Sequence, residues 1–218
     1  MTWDNAFALS ILPELLRGLW ITVQVTLMGT AIAMVVGLVV AVIRFSRIPV
    51  VSKLFGFYVE FLRGTPLLVQ AYIAFFVLPG YGVTFSAMAT GIVVIGLNYS
   101  AYTAEVYRAG IADVQIGQWE AAKALSLPPG RTWTRIVLPQ ALRSVVPMLG
   151  NYLVQMFKDS AVLFAITVYE LMGHALAVGS SSYRYLEPLT IAGLLFFLVS
   201  YPSSQLVRIL ERRLAPSR

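Results

Sequence analysis

An all-α protein threaded several times through a membrane is what this sequence predicts, and three observations predict it. Apolar residues make up 58% of its 218 residues and charged residues only 12%, with a mean hydropathy of +0.77, whereas a soluble domain carries about a quarter charged residues. The apolar residues form continuous runs of membrane-crossing length instead of alternating, which favours helices over a barrel. Most of the Lys and Arg residues collect between and after those runs, Arg63 and Lys158 being exceptions. The expectation is one domain over 1–218 with five transmembrane helices, at about 19–43, 54–78, 85–107, 147–170 and 188–208. A hydrophilic segment at 109–146 separates the third span from the fourth.

Met1 to Gly18 is a short, mildly amphipathic lead with Asp4, Glu14 and Arg17. It lacks the basic start of a secretory signal, and the apolar run after it is too long for a signal core, so no cleavage is expected. Ile21 to Ile43 has no charge, and at about 1.5 Å per residue it crosses a hydrocarbon core of ~30 Å. Gly29, Ala33, Gly37 and Ala41 recur every fourth residue along it, a stripe that lets another helix approach backbone to backbone. Arg44, Arg47 and Lys53 follow around Pro49. The second span is interrupted at Arg63-Gly64-Thr65-Pro66 and closes in the uncharged turn Pro79-Gly80-Tyr81-Gly82. The third continues to Glu105 and Arg108. Gly179-Ser180-Ser181-Ser182 marks a flexible connection after the fourth, and the fifth ends among Arg208, Arg212, Arg213 and Arg218.

The positive-inside rule orients these spans. With the amino terminus outside, the 44–53 loop, the 109–146 segment and the carboxyl tail all lie in the cytoplasm, and these hold nearly all the cations. The net charge of +6 therefore reflects topology and not a nucleic-acid partner. No cysteine is present, which removes disulfides, cysteine metal sites and a cysteine nucleophile. No phosphate-cradling glycine loop and no metal-ligand cluster occur, and His174, the single histidine, is expected as a solvated outer-loop side chain. No nucleophile–base pair supports an intramembrane enzyme.

The 109–146 segment is the most informative. Trp119 to Leu125 predicts a short helix with Ala121, Ala122 and Ala124 on its surface. Leu127-Pro128-Pro129-Gly130 must break that helix, because proline lacks a backbone donor and restricts the residue before it. A second short helix fits before Pro139. A helix, a turn and a helix held on one face of a membrane protein make a docking surface. Glu120-Ala121-Ala122, followed by Ile136-Val137-Leu138-Pro139, resembles the EAA loop of the membrane subunits of ABC importers. Gly117-Gln118 and Pro139-Gln140-Ala141 narrow the resemblance to the polar amino-acid uptake branch. It implies that Gly117, Glu120, Ala121, Ala122, Ala124, Leu125 and Ser126 meet an ATPase subunit. The family usually has glycine where this chain has Ser126; serine tolerates positive φ less readily, so Pro-Pro-Gly is expected to supply the turn instead.

Polar groups inside spans are costly unless they face protein or a watery cavity. Asn151, Gln155 and Asp159 fall at i, i+4 and i+8 on one face of the fourth helix. Lys158 stands beside Asp159, but adjacent helical residues point about 100° apart, so a direct pair is geometrically poor; lining a pathway, with both signs offered to a zwitterion, is favoured over pure packing. Lys158-Asp159-Ser160 with Ala161-Val162 resembles the Lys-Asp-Thr-Ser-Leu block of amino-acid permeases, with a hydroxyl lost at Ala161. Asn98, Tyr102 and Glu105 make a second candidate pathway face, and the run from Ala101 to Gly110 also matches the family. On the second helix Gln70 is a further candidate, and Glu60 and Arg63 fit a pair near the cytoplasmic interface. Arg63-Gly64-Thr65-Pro66 resembles the family's Arg-Gly-Thr-Pro block, where Pro66 is expected to kink the helix and expose polar backbone to a cavity.

The resemblance, from about Gly18 to Glu170, implies a multi-pass permease subunit of the bacterial inner membrane that is not itself an enzyme. It imports polar amino acids or related zwitterions, with the ectoine type among them. It holds no cofactor, ATP and Mg being bound by two partner ATPase subunits. It pairs with a second copy or a paralogue and receives solute from an extracytoplasmic binding protein. The alternative is a stand-alone secondary carrier or channel using Lys158, Asp159 and Glu105 as ion relays; the inverted repeats expected of many such carriers are not visible.

Overall fold

The computed structural model describes residues 2–45 and 48–214; Met1, Arg47 and Arg218, which figured above, lie outside them. Helix α1 (Asn5–Arg44) is the spine. Asp4 caps it, its Oδ1 accepting from the Ala6 and Phe7 amides at 2.9 and 3.2 Å. The expected amphipathic lead is thus the first part of one 40-residue helix: nothing between Asn5 and Ile21 breaks it, and Leu15 and Ile11 are buried against Leu171 and Ala175. α4 (Ala87–Ala112) lies along α1. The small-residue stripe is where they meet: a Cβ on Gly37 would sit 2.9 Å from the Ser100 carbonyl, and one on Gly96 would sit 3.1 Å from that of Gly29. Thr103 Oγ1 donates to the Ala33 carbonyl at 2.7 Å across this contact.

Two segments depart from the expected spans. α2 (Pro49–Gly64) and α3 (Leu67–Tyr72, continued by a π turn at Ile73–Val77 and a 3-10 turn at Leu78–Tyr81) meet at 105°. Arg63-Gly64-Thr65-Pro66 is therefore a full break and not a mid-helix kink. Thr65 is extended at φ −114°, ψ 141°, as a residue preceding proline prefers, and Pro66 has no N–H with which to continue the ladder. The fourth span begins earlier than Pro147. After α5 (Ile116–Ala124) and a turn, α6 (Pro129–Thr132) and a π turn at Trp133–Val137 lead without interruption into α7 (Leu138–Asp159), which carries Pro147 in its interior. α7 then tightens into a 3-10 turn, Ser160–Ile166, and a left-handed Thr167 redirects the chain by 46° into α8 (Leu171–Ser182). Gly179 to Ser182 is the last turn of α8 and not a flexible link; Ser182 Oγ bonds back to the Val178 carbonyl at 2.7 Å. α9 (Leu186–Leu214) completes the bundle.

Among the described residues two helices, α1 and α9, are long and apolar enough to cross a membrane, or four if each bent pair counts as one span. α4, at 26 residues, has the length, but Thr90, Asn98, Ser100 and Thr103 are buried along it. Its polar content reflects a helix wrapped by protein. At the end of the bundle where they begin, Arg184 joins the starts of α1 and α9, donating to Asp4 Oδ2 at 3.2 Å and Glu187 Oε1 at 2.6 Å over the Phe7 ring. The Phe7 amide, with Arg184 second, holds the Asp4 carboxyl below the usual carboxylate range. His174 is half-buried on α8, with Nδ1 3.4 Å from Glu14, and is not the free loop residue expected.

Candidate functional site

A cavity of about 520 Å³ opens where the α2–α3 break faces α4 and α7. Arg63, Gly64, Thr65, Pro66 and Leu67 form one wall, Asn98, Tyr99 and Tyr102 a second, and Tyr152, Gln155 and Asp159 the third. The break makes it: a continuous α2–α3 rod would present side chains there, whereas the extended Thr65-Pro66 pair presents backbone. Carbonyls freed by the break find donors. Gln70 Nε2 bonds the Leu62 and Thr65 carbonyls at 2.9 and 3.1 Å, and Asn98 Nδ2 bonds Leu62 O at 3.1 Å and Gln70 Oε1 at 3.2 Å. Gln70 is thus a brace behind the wall and not part of its lining, and Asn98 both lines and braces.

The charges in this cavity are of both signs and stay apart. Asp159 Oδ2 accepts the Tyr99 hydroxyl at 2.5 Å, and Oδ1 accepts the Gln155 amide at 3.0 Å. Across the cavity the Arg63 guanidinium lies 5.3 Å from the centre of the Tyr102 ring. Among the described residues it has no carboxylate within salt-bridge distance, so the expected Glu60–Arg63 pair does not form; Tyr102 holds the guanidinium instead. Tyr99, Tyr102 and Tyr152 pack on one another with centroids 5.6–5.9 Å apart, a rigid aromatic floor between the two charges. Such a cavity can take a carboxylate at one end and a cationic group at the other.

The other candidates fall elsewhere. Asn151 and Lys158 are exposed on α7 and are not in the lining. Lys158 and Asp159 form no pair, as the 100° between neighbours dictates. Ser160 is buried, its hydroxyl donating to the Phe157 carbonyl at 2.8 Å. Glu105 leaves the pathway face altogether: it bonds Arg44 at the end of α1 and Arg108 one turn on, the latter at 2.7 Å. Tyr99 and Tyr152 were missed, because an aromatic next to a polar residue in an apolar run reads as core; the signal was their recurrence beside Asn98 and Asn151.

The 109–146 segment has its own small core. Val114, Val137 and Ala141 are buried there, with Ile111, Trp119 and Trp133 packed over them. Ala122 faces inward, while Gly117, Glu120, Ala121, Ala124, Leu125 and Ser126 are exposed. Ser126 itself supplies the turn, at φ 50°; Gly130 has ordinary negative φ as part of α6. Among the described residues no cluster of metal-ligating side chains occurs.

Comparison with known proteins agrees with this geometry. The chain is 45% identical over 215 residues to a probable amino-acid ABC transporter permease of Sinorhizobium fredii, covering 96% of this chain and 93% of that protein. It is 33% identical to the arginine transport system permease of Bacillus subtilis, with 98% of both covered. Its fold superposes on a crystal structure of an amino acid ABC transporter with histidines at a TM-score of 0.93 and 34% identity, covering 98% of this chain and all of that one. The MetNI methionine ABC transporter, at a TM-score of 0.70, 21% identity and 90% and 95% coverage, shares the fold. Residues 33–216 match the family described as binding-protein-dependent transport system inner membrane components; the chain belongs to that family, the permease subunits of ABC transporters.

Proposed function

We propose that this permease carries polar amino acids or related zwitterions, ectoine-type solutes included, inward through the cavity between the α2–α3 break, α4 and α7. The observation that carries the proposal is the pair of opposite, unneutralised charges facing one cavity: Arg63 over Tyr102, and Asp159 held by Tyr99 and Gln155. Arg63 takes the solute's carboxylate and Asp159 its cationic group. Relatives named for arginine and L-cystine transport support the solute class.

One chain offers half of a two-sided pathway, so a second copy or a paralogue completes it. Asn151, Gln155 and Lys158, exposed on α7 at membrane depth, support that face meeting protein or a watery pathway and not lipid. Two ATPase subunits, which bind ATP and Mg, dock on the two loops of such a pair, the one on this chain gripping the exposed edge of α5 at Gly117, Glu120, Ala121, Ala124, Leu125 and Ser126, with Ala122 holding the helix to its own core. A binding protein delivers solute at the outer face, where the amino terminus lies, and the carboxyl terminus is in the cytoplasm of a bacterial inner membrane. Closure of the ATPases drives the docking elbow and tilts the spans between outward- and inward-open forms.

Uptake of labelled arginine, glutamine, cystine and ectoine by proteoliposomes holding the whole complex tests the solute class. At least one should be transported by the wild type, and Asp159→Asn and Arg63→Met should each abolish its uptake. Unchanged uptake in both variants would remove the cavity from the pathway. Glu120→Lys should insert normally yet transport nothing; wild-type uptake by that variant counts against the docking role.

A further inference from the structure

The docking elbow is thinly tied. A Cβ added to Gly117 or Gly130 would meet nothing within 4 Å, and the side-chain hydrogen bond between α5 and α7, from Gln140 to Gln118, is long at 3.5 Å. The turn between α5 and α6 is a left-handed serine followed by two prolines, held by the Leu127 amide on the Ala122 carbonyl at 3.0 Å. An aromatic contact also spans the elbow from side to side. The Trp119 ring, in the middle of α5, stands edge-on to the Trp133 ring at 5.3 Å and 80°. Trp133 opens the π turn whose last residue, Val137, is fully buried against Val114 and Ala141. From Leu138 the helix runs on as α7 to Asp159, at the cavity.

We infer that Trp119 and Trp133 are positioning residues that lock α5 to the root of α7, so that the elbow and α7 move as one lever. Without the lock, force on Glu120-Ala121-Ala122 flexes the Ser126 turn and does not reach Gln155 and Asp159. The π turn at this junction fits a functional role, since π-bulges within helices occur frequently at functional sites. The inference rests on the docking reading above, and its test separates the two.

The chain has no cysteine, so Lys123→Cys on α5 and Met148→Cys on α7, both exposed, can carry a pair of spin labels in the complete complex with its ATPase subunits in liposomes. The within-copy distance is read with ADP and with ATP plus vanadate. The lever gives one narrow distance, the same in both states. In Trp119→Ala and in Trp133→Leu, which keeps apolar bulk, the distribution should broaden or shift on ATP plus vanadate while ATP hydrolysis persists. Trp133→Phe should restore the narrow peak, and the double variant should be no worse than the more affected single, because one contact is removed in each. A wild-type distance that changes between states, or variant distributions that stay narrow, overturns the inference. If the ATPases co-purify with the wild type but not with Trp133→Leu, the pair builds the docking surface itself and transmits nothing, which also overturns it. Failure of the wild type to hold any ATPase overturns the docking reading instead.

Discussion

Ser126 offers the sharpest energetic prediction. It closes the α5–α6 turn at φ 50°, with its own amide on the Lys123 carbonyl and the Leu127 amide on that of Ala122, both at 3.0 Å. A left-handed backbone costs an L residue roughly 1–2 kcal/mol. Glycine removes that cost but gains about 0.4–1 kcal/mol of freedom in the unfolded chain. The net gain for Ser126→Gly is about 0.5–1 kcal/mol, so local opening of the turn should fall by about two- to fivefold. Ser126→Val should move the other way and further, because a β-branched residue is a genuine outlier at positive φ. Amide hydrogen exchange at Ser126 and Leu127, followed in nanodiscs, reads the opening directly. Exchange in Ser126→Gly as fast as in wild type, together with no acceleration in Ser126→Val, would refute the argument that the serine holds this turn under strain.

Further perturbations reach the frame around the site. Glu105→Gln strips the anion shared by Arg44 and Arg108 and should cost about 1–3 kcal/mol, seen as a lower Tm of the detergent-solubilised protein. Gly37→Val drives side-chain atoms against Ser100 and Thr103 and should cost about 1–3 kcal/mol by overpacking, again read as Tm. Asp4, an exposed carboxylate held low by the Phe7 amide and then by Arg184, contributes stability that is fully present above the unfolded value of about 3.9 and is lost as pH falls through the lower folded value. The Asp4–Arg184 clasp should therefore stay shut at neutral pH and open only below about pH 4; exchange at the Ala6 and Phe7 amides should show that acid step, and Asp4→Asn should lack it.

The fold was legible where one residue type decides the outcome. The recurrence of Gly29, Ala33, Gly37 and Ala41 could mean little except a close helix contact, and α4 lies there. The prolines after the Glu-Ala-Ala triplet marked the turn between α5 and α6. Legibility failed where the outcome depends on partners distant in sequence. Whether Pro66 kinks or breaks a helix depends on whether freed carbonyls find donors, and those come from Gln70 and Asn98. Whether Arg63 pairs with Glu60 depends on a Tyr102 ring 39 positions away. Spacing gave Asp159 and Gln155 as one stripe, but only folding brought Tyr99 to the carboxylate.

These failures share a cause that bears on mechanism. α1 and α4 meet through backbone contacts that a single methyl group would disturb, so this pair is the fixed frame. At the cavity itself the other two walls lack such a lock; the close approach of α7 to α4 lies away from it, where a Cβ on Gly110 would sit 3.3 Å from the Ala141 carbonyl. α2 and α3 meet at an extended pair of residues braced by side-chain amides, and α7 is tied to α4 at the cavity by the Tyr99–Asp159 hydrogen bond. A solute whose cationic group takes Asp159 competes with Tyr99 for that carboxylate, and one whose carboxylate takes Arg63 draws on the guanidinium that rests on Tyr102. Binding therefore acts on the contacts that set where α7 and the α2–α3 break stand relative to α4. Tyr99→Phe separates solute binding from this linkage: Asp159 keeps its charge and its Gln155 partner but loses its tie to the frame. Such a permease should still bind solute while ATP hydrolysis in its complex no longer responds to it, and a preserved response would show that the hydrogen bond only fixes the carboxylate.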